Sequence, residues 1–357
     1  MKVLYLAEWD VYSNSGVVRK IRAQFDSWKS LGVDARLVIV SPRTIEKNPL
    51  ISGDGITVIS HRRARFGIGK IFKALALRSA KKAVLEFLPD VIYYRQSSWT
   101  PGILSLLKVA RSVVVEINSN DVFEVHQNGW LKARYHLTTR TWLIGIVNGF
   151  VCVGRELGDF YNQYGKPVCV IGNGFDTSSV SSRPPPFNLR PQLIFVGSKG
   201  QTWHGVDKLL NVAAVLPEMD FHIVGQDVQD VPVNVKAHGF LTWSQLDDIY
   251  KKMDAGFGSL ALHRIEIDEI TPLKTREYLA YGIPVIGAYH DIDLENCSYY
   301  LQLRNQENGV IESVDLIRDF VWKWKNRSID NNDVVIRIGS MNKERRRLTF
   351  FKNISIS

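Results

Sequence analysis

The sequence predicts an α/β protein made of two doubly wound, Rossmann-like domains that face each other across a cleft. In the first half, apolar runs such as VLYLA, ARLVIV and SVVVEI alternate with helical stretches, a pattern typical of a parallel sheet covered by helices. The pattern repeats in the second half with LIFVG, FHIVG and PVIGA. Ligands of such sheets bind beyond the carboxyl ends of the strands, so we expect the functional residues in the loops that follow them.

A proline-rich segment separates the two repeats. The sequence SSRPPPFNLRP at 181–191 disfavours both a helix and a central strand. We therefore predict a first domain over 1–182, a linker over 183–191 and a second domain over 192–335.

The composition fits two globular domains, because the chain has 357 residues of which 45% are apolar. The three cysteines, Cys152, Cys169 and Cys297, have neither CxxC nor metal-ligand spacing, and an odd number argues against a disulfide framework. The apolar start is too short for a signal peptide, and no run of about eighteen apolar residues occurs. We expect a cytoplasmic protein that is neither exported nor membrane-spanning.

The net charge of +9 predicts an anionic partner. On a predicted helix, the basic residues of segment 62–82 fall on one face: Lys70, Arg78, Lys81 and Lys82. A basic amphipathic helix of this kind suits an anionic membrane surface, and the alternative is a solvated helix that covers the sheet. No RNA- or DNA-binding motif accompanies the charge, so we expect no nucleic-acid partner.

The segment EITPLKTREYLAYGIPVI at 269–286 carries the main candidate site. Thr271 has the chemistry of a helix N-cap, Pro272 that of a first helical residue, and Gly282 marks the stop, so we predict a helix over 272–281. The free N–H groups and the positive dipole end of its first turn attract an anionic phosphate.

Three charged side chains accompany this helix start. Lys274 adds a positive charge to the first turn, and Glu277 in the second turn offers a carboxylate that accepts hydrogen bonds from vicinal hydroxyls. Glu269 lies just before the helix. The set suits a nucleotide-activated sugar, and the alternative is that these residues are ordinary surface charges.

The sequence lacks the motifs that are typical of several enzyme classes. No GxGxxG, P-loop, HExxH or GxSxG sequence occurs in its required context, which argues against dehydrogenase, ATPase, zinc protease and serine hydrolase functions. Asp291 and Asp293 form a DxD pair, which we predict to be a surface turn.

Two glutamates separated by seven residues, followed by GIPVI, make this segment resemble the retaining GT-B glycosyltransferases of family four, of the bacterial polysaccharide and O-antigen type. Other segments resemble the same family: KVLYLAEWDVYSNSGVVRKI near the start, VCVIGNGFD at 168–176 and LIFVGSKGQTWHGVDKLLNVAAVL at 193–216. The resemblance implies a GT-B fold in which a C-terminal helix over 336–357 crosses back to the first domain.

The resemblance also implies a nucleotide-sugar donor on the second domain, bound without a metal or other cofactor. Glu277 is implied to hold the ribose, and Glu269 is implied as a catalytic residue beside the donor sugar. Thr271 and Leu273, which flank the helix start, are expected to bind the donor as well. Gly16, in the loop after the first strand, would allow close approach of the donor.

The groups that meet the donor diphosphate are expected to differ from the family pattern. Family members usually have an arginine just after the FVG strand and a lysine before the next glycine, whereas this sequence has Ser198 and His204. We therefore predict that Lys274, Lys199 and His204 bind the diphosphate. The alternatives are an ordinary loop lysine and a packed histidine.

The first domain is implied to bind the acceptor. The segment SVVVEINSND ends a strand with polar residues, so we predict Asn118, Asn120 and Arg95 as acceptor-binding residues. Asp121 is our candidate for the catalytic group that engages the acceptor hydroxyl, and the alternative is that it caps the next helix.

Together these expectations describe a metal-independent, retaining glycosyltransferase of the hexosyltransferase type. Its acceptor would be a saccharide, lipid-linked, in bacterial surface polysaccharide synthesis, and the enzyme would lie peripherally on the inner face of the cell membrane. Two alternatives stay open: a sugar-nucleotide epimerase with the GT-B fold, and a catalytically silent protein that binds glycans or anionic lipid.

Overall fold

The chain folds into two compact units. The computed structural model describes residues 1–11, 16–42, 51–63, 68–95, 97, 99–126, 129–180 and 183–356. The first unit comprises Met1–Ile171 with Ser340–Ser357, and the second comprises Gly172–Gly339.

The first unit is built around a seven-stranded parallel sheet. Its strands are β1 Lys2–Glu8, β2 Asp34–Ser41, β3 Ile56–Ser60, β4 Val91–Arg95, β5 Ser112–Ile117, β6 Gly149–Cys152 and β7 Val168–Val170. The spatial order is β3-β2-β1-β4-β5-β6-β7, so the direction of winding reverses between β1 and β4. In doubly wound sheets such a switch point is the place where ligands bind.

Helices cover both faces of this sheet, and both faces are apolar. The helices are α1 Gly16–Ser30, α2 Ile68–Phe87, α3 Ile103–Leu107, α4 Asp121–His126, α5 Trp130–Ile146 and α6 Arg155–Asn162. Along β1, Leu4 and Leu6 point into one core while Val3 and Tyr5 point into the other. A strand buried on both faces therefore reads as a continuous apolar run, which is why VLYLA identifies it.

The second unit repeats this architecture with a six-stranded parallel sheet. Its strands are β8 Gln192–Val196, β9 Asp220–Val224, β10 Val235–Gly239, β11 Ala255–Phe257, β12 Val285–Gly287 and β13 Tyr300–Gln302. Its helices are α7 Val206–Val215, α8 Trp243–Tyr250, α9 Leu273–Ala280, α10 Val314–Trp324 and α11 Asn331–Ile338. The order β10-β9-β8-β11-β12-β13 puts the switch point between β8 and β11.

The last helix, α12 Ser340–Ile356, belongs to the first unit. It buries Phe351 against Trp28, with 5.8 Å between the ring centroids, and Trp28 Nε1 donates a hydrogen bond to Glu344 Oε2 at 2.6 Å. The sequence predicted one helix over 336–357, but Gly339 leaves the helical conformation and separates α11 from α12.

The proline-rich segment predicted as a linker over 183–191 lies within the second unit and packs on it. Asn188 donates through Nδ2 to Asp254 Oδ2 at 2.8 Å, and its backbone N–H donates to Asn326 Oδ1 at 2.7 Å. Arg183 is buried. Proline removes backbone donors without preventing side-chain contacts, so composition alone does not reveal this packing.

Among the described residues, no helix combines the length and the apolar character that crossing a membrane requires.

Candidate functional site

The helix predicted at 272–281 is present as α9, but it starts differently. Its N-cap residue is Pro272, in an extended conformation, and this residue makes no side-chain hydrogen bond to the first turn. The predicted N-cap role of Thr271 is wrong because Pro272 holds that position. The Thr271 hydroxyl instead accepts a hydrogen bond from Asn173 N–H at 3.1 Å. The Thr271 carbonyl accepts another from Asn173 Nδ2 at 2.7 Å. The cap residue Pro272 therefore offers the N–H groups of the first turn of α9 no side-chain acceptor.

Lys274, in that first turn, holds its ammonium over the ring of Phe195, with 4.1 Å from Nζ to the ring centroid. The ammonium is shielded from solvent and has no hydrogen-bond partner among the described residues. Burial lowers the pKa of Lys274 to about 7. A buried cation held only by an aromatic ring is far less stabilised than in water, so this position favours an anionic ligand.

His204 packs against the same aromatic ring. Its imidazole meets Phe195 edge to face, with 5.4 Å between centroids, and the residue is buried. Burial and the nearby charge of Lys274 lower the pKa of His204 to about 3. The histidine is therefore neutral at physiological pH, and it offers a ligand a hydrogen bond rather than a charge.

The loop that carries His204 is tied to the loop after β11. Leu260 N–H donates to the His204 carbonyl at 3.1 Å, and Ala261 N–H donates to the Trp203 carbonyl at 3.2 Å. Gly205 ends the turn with a φ of +67°, and a Cβ there would lie 2.9 Å from Leu260. Because β8 and β11 flank the switch point, these loops form the carboxyl edge of the sheet where ligands are expected.

Lys199, the third residue predicted to meet the diphosphate, is exposed in the same loop. Its Nζ lies 3.1 Å from Asp227 Oδ2, and both side chains are largely open to solvent. An exposed pair of this kind contributes little stability and is easily exchanged for another anion.

Glu269 lies before α9 and is mostly buried. Its backbone pairs with His290, and its Oε2 is 3.8 Å from His290 Nε2. His290 also lies 2.9 Å from Glu295 Oε1. Sequence reasoning did not single out His290, and nothing in the local sequence marks its contact with Glu269.

Glu277, in the second turn of α9, is half-buried. Its Oε2 accepts a hydrogen bond from the hydroxyl of Tyr250 at 3.0 Å. Burial, reinforced by the Glu277 charge, raises the pKa of Tyr250 well above its ordinary value, so the tyrosine remains a donor. Leu273, also predicted to bind the donor, is the first residue of the helix.

The DxD pair is not a surface turn, as the sequence had predicted, but part of a buried ion-pair cluster. The guanidinium of Arg276 is bound by Asp291 through contacts of 2.5 and 2.9 Å and by Asp293 at 2.7 Å. Arg276 and Asp291 are completely buried. Within the residues that the structure describes, no group of three or more His, Cys, Asp or Glu side chains is placed to hold a metal ion.

In the first unit, two of the predicted acceptor residues, Arg95 and Asn118, belong to a charged cluster around the buried Glu116 at the carboxyl end of β5. Arg95 Nη1 lies 3.3 Å from Glu116 Oε2, and Lys20 Nζ lies 2.6 Å from Glu116 Oε1. Asn118 accepts a hydrogen bond from Lys20 Nζ at 2.7 Å. Burial alone would raise the pKa of Glu116, but the charges of Lys20 and Arg95 hold it well below its usual range.

Asp121 is the first residue of α4, and the residue that caps this helix is Asn120, whose Oδ1 accepts from Phe123 N–H at 3.1 Å. The Asp121 carboxylate contacts His136 Nε2 at 2.7 Å, Arg140 Nε at 2.7 Å and the Tyr161 hydroxyl at 2.8 Å. These hydrogen bonds outweigh the effect of burial and lower the pKa of Asp121 to about 2. A carboxylate so stabilised is a weak base, which favours an anchoring role over the predicted catalytic one.

Gly16, the remaining predicted site residue, is the first residue of α1 at the switch point of the first sheet. Residues 12–15 before it lie outside the described part of the chain.

Solved structures share this architecture at low sequence identity. The chain is similar to a glycosyltransferase from Rickettsia africae, with a TM-score of 0.65, 14% identity and 99% and 98% of the two chains covered. It is similar to a sucrose-phosphate synthase from Thermosynechococcus elongatus, with a TM-score of 0.71, 12% identity and 99% of each chain covered. An Anabaena protein solved in complex with UDP and glucose gives a TM-score of 0.66, 13% identity and 99% coverage of each chain.

The chain has the fold of these solved structures. The predicted fold class, α/β with two Rossmann-like units of the GT-B type, is confirmed. No family model matches the sequence, and no curated protein does so either.

Proposed function

We propose that this chain is a glycosyltransferase that moves a sugar from a nucleotide-sugar donor to a saccharide acceptor. The single observation that carries the proposal is the ammonium of Lys274, buried at the uncapped start of α9 without a hydrogen-bond partner among the described residues. A donor diphosphate would supply the missing counter-charge, and the first-turn N–H groups would bind its oxygens.

The chemistry of sugar transfer requires a cation at this place. When the bond between the anomeric carbon and the phosphate oxygen breaks, its electron pair leaves with the diphosphate, and the sugar becomes oxocarbenium-like. The charge of Lys274 and the neutral donor of His204 stabilise that leaving group more in the transition state than in the ground state. Lys199 adds a second charge by exchanging Asp227 for phosphate.

The two glutamates bind the rest of the donor. Glu277, fixed by the Tyr250 hydroxyl, accepts hydrogen bonds from the ribose hydroxyls. Glu269 lies beside the donor sugar, where it orients hydroxyls and stabilises positive charge. In the retaining reaction that we propose, the acceptor oxygen bonds to the anomeric carbon on the face that the phosphate leaves, and its proton passes to a phosphate oxygen.

The acceptor side of the proposal rests on the first unit. Arg95, Asn118 and Asn120 lie at or after the carboxyl ends of β4 and β5, where such sheets bind ligands. We propose a lipid-linked saccharide acceptor and a role in bacterial surface polysaccharide synthesis, with the enzyme peripheral on the inner face of the cell membrane. Diphosphate neutralisation by Lys274 makes the proposed reaction independent of a metal ion.

The test is a panel of sugar nucleotides carrying UDP, GDP, dTDP and ADP, incubated with the protein with and without saccharide acceptors. Transfer or slow hydrolysis of one donor, lost in Lys274→Met, supports the proposal. Isomerisation of the donor sugar without transfer identifies an epimerase instead. Failure of every nucleotide to bind in calorimetry overturns the enzymatic assignment and leaves a glycan- or lipid-binding protein.

A further inference from the structure

The described surface of the first unit has an unusual concentration of exposed apolar side chains on two neighbouring helices. Ile71 of α2 is 61% exposed, and Trp130 and Trp142 of α5 are 70% and 49% exposed. We call this the α2–α5 surface and define its apolar part by Ile68, Ile71, Leu75, Trp130, Leu131 and Trp142. Single exposed apolar residues are ordinary, but a contiguous set marks an interaction site.

The two helices are in direct contact, so their exposed residues form one surface. The ammonium of Lys70 on α2 lies over the ring of Tyr135 on α5, with 3.4 Å from Nζ to the centroid. Trp99, which follows β4, packs edge-on against Tyr135 and Trp142, with centroid distances of 6.1 and 5.3 Å. These aromatic rings, with Leu131 and Arg134, line an open groove of about 380 Å³.

The surface is also cationic. The whole of α5, from Trp130 to Ile146, contains no Asp or Glu, and its Lys132 and Arg134 are exposed. Helix α2 contains five basic residues and a single acid, Glu86. Lys73 pairs with Glu8 of β1, whereas the other basic residues of α2, with Lys132 and Arg134, leave a net positive charge on the two helices that carry the exposed apolar side chains.

We propose that the α2–α5 surface docks on a bilayer that contains anionic phospholipid. Tryptophans and aliphatic side chains enter the headgroup boundary, where indole rings are favoured, while lysines and arginines bind lipid phosphates. Nucleic acid would complement the charge but offers no counterpart to the exposed Ile68, Ile71 and Leu75. The sequence alone indicated α2; the structure adds α5 and the aromatic groove that Trp99 and α5 form.

The proposal gives a lipid-linked acceptor a route to the enzyme, and in that respect it rests on the proposed function. Trp99 follows β4, and the loop that carries Asn118 and Asn120 leads into the short helix α4 and then α5. The groove therefore starts at the same carboxyl edge of the sheet as the predicted acceptor residues. Binding to a bilayer, in contrast, depends only on the surface itself.

The experiment is sedimentation of the full-length protein with phosphatidylcholine vesicles, prepared with and without phosphatidylglycerol. We expect binding only to the vesicles that contain phosphatidylglycerol. The double variant Lys70→Ala/Arg134→Ala should bind about 30-fold more weakly, since each basic residue at an anionic surface contributes about 1 kcal/mol. The double variant Trp130→Ser/Leu131→Ser should lose about tenfold or more.

The matched control is Phe187→Ser/Phe240→Ser in the second unit, where both side chains are exposed, 91% and 78%. This control should bind vesicles as strongly as the unaltered protein does. All variants should have the circular dichroism spectrum of the unaltered protein. Equal losses in the control and the Trp130 variant overturn the proposal, as does binding to duplex DNA in place of vesicles. Nucleotide affinity, measured without vesicles, tests the proposed function separately. A failure of bilayer docking is therefore distinguished from a failure of donor binding.

Discussion

Lys274 is the residue on which the donor site depends most. We expect Lys274→Met to weaken the binding of the cognate nucleoside diphosphate about 10- to 100-fold, which corresponds to the loss of one hydrogen bond between charged groups. The variant should be as stable as the unaltered protein or more stable, because the substitution removes a buried charge that no described residue pairs with. Titration calorimetry and urea unfolding measure the two effects.

The pH dependence of the free energy of unfolding gives a sharper test of the same residue. The pKa of Lys274 in the folded state, about 7, is far below that of a lysine in the unfolded chain. Between these values the unfolded chain binds more protons, so the free energy of unfolding rises with pH across this window. Lys20, with a pKa lowered to about 8 by burial, adds to the same rise. The difference between the unaltered protein and Lys274→Met therefore isolates Lys274.

Nucleotide affinity should follow the opposite course. Only the protonated amine attracts the diphosphate, so affinity should fall as pH rises above about 7. His204 is neutral throughout this range, because its pKa is about 3. Lys274→Arg keeps its charge and should abolish the dependence. An unchanged pH profile in Lys274→Met would show that this amine does not bind the nucleotide.

Glu277 allows the charge to be removed without disturbing the packing. In Glu277→Gln the amide oxygen still accepts from the Tyr250 hydroxyl, so the melting temperature should stay nearly constant. Nucleotide affinity should fall about tenfold, because a neutral acceptor binds ribose hydroxyls less strongly than a carboxylate. The comparison variant Tyr250→Phe should lower stability by about 1 kcal/mol and reduce nucleotide affinity less than Glu277→Gln does, because the carboxylate remains. The reverse pattern would identify Glu277 as a structural acid.

At the residue scale, sequence reasoning selected side chains but not their partners. Lys274 and Glu277 are recognisable from the helix-start signals around them. Their partners are distant in sequence. The ring of Phe195 covers Lys274, and Asn173 donates its backbone N–H to the hydroxyl of Thr271. No local pattern encodes such contacts, so the N-cap rule failed at Thr271 and the DxD pair was misread.

At the scale of elements, α9 is fixed by the ion-pair cluster of Arg276. Asp291→Ala should lower the free energy of unfolding by about 3–5 kcal/mol, because it leaves a buried guanidinium without its main partner. Urea unfolding provides the measurement. The control is Asp315→Ala on α10, whose exposed carboxylate pairs with Arg318 and whose loss should leave the free energy of unfolding nearly unchanged. Equal effects would mean that solvent replaces Asp291 in the cluster.

The strands were predicted better than the element boundaries, for a physical reason. Parallel strands buried on both faces, such as β1 and β5, consist of apolar runs that local composition reveals. The short strand β13 is only partly buried and ends in a polar residue, so it gives no apolar run by which the sequence could identify it. Gly339, which separates α11 from α12, gives no stronger signal than the glycines inside loops.

At the scale of the whole molecule, the second unit is one continuous stretch of chain, whereas the first needs both ends of the sequence. We expect a protein limited to residues 172–339 to fold and to bind the same nucleotide as the full chain. The shorter stretch 192–335, which follows the domain bounds predicted from sequence, should melt about 10 °C lower. It lacks Asn173, whose carbonyl accepts from Arg276 Nε at 3.0 Å, and Asn188, which binds Asp254. Each lost kcal/mol lowers the melting temperature of a domain this size by about 2–4 °C.

Calorimetric melting of both proteins, with and without nucleotide, decides between the two boundaries. The matched control is Asn173→Ala in the 172–339 protein, which removes the side-chain contact to Thr271 but keeps the backbone carbonyl that binds Arg276. Its melting temperature should fall between those of the two segments. If the segments melt together, residues 172–191 are dispensable to the second unit, and the contacts that start α9 at Pro272 must be maintained by the sheet and the Arg276 cluster alone.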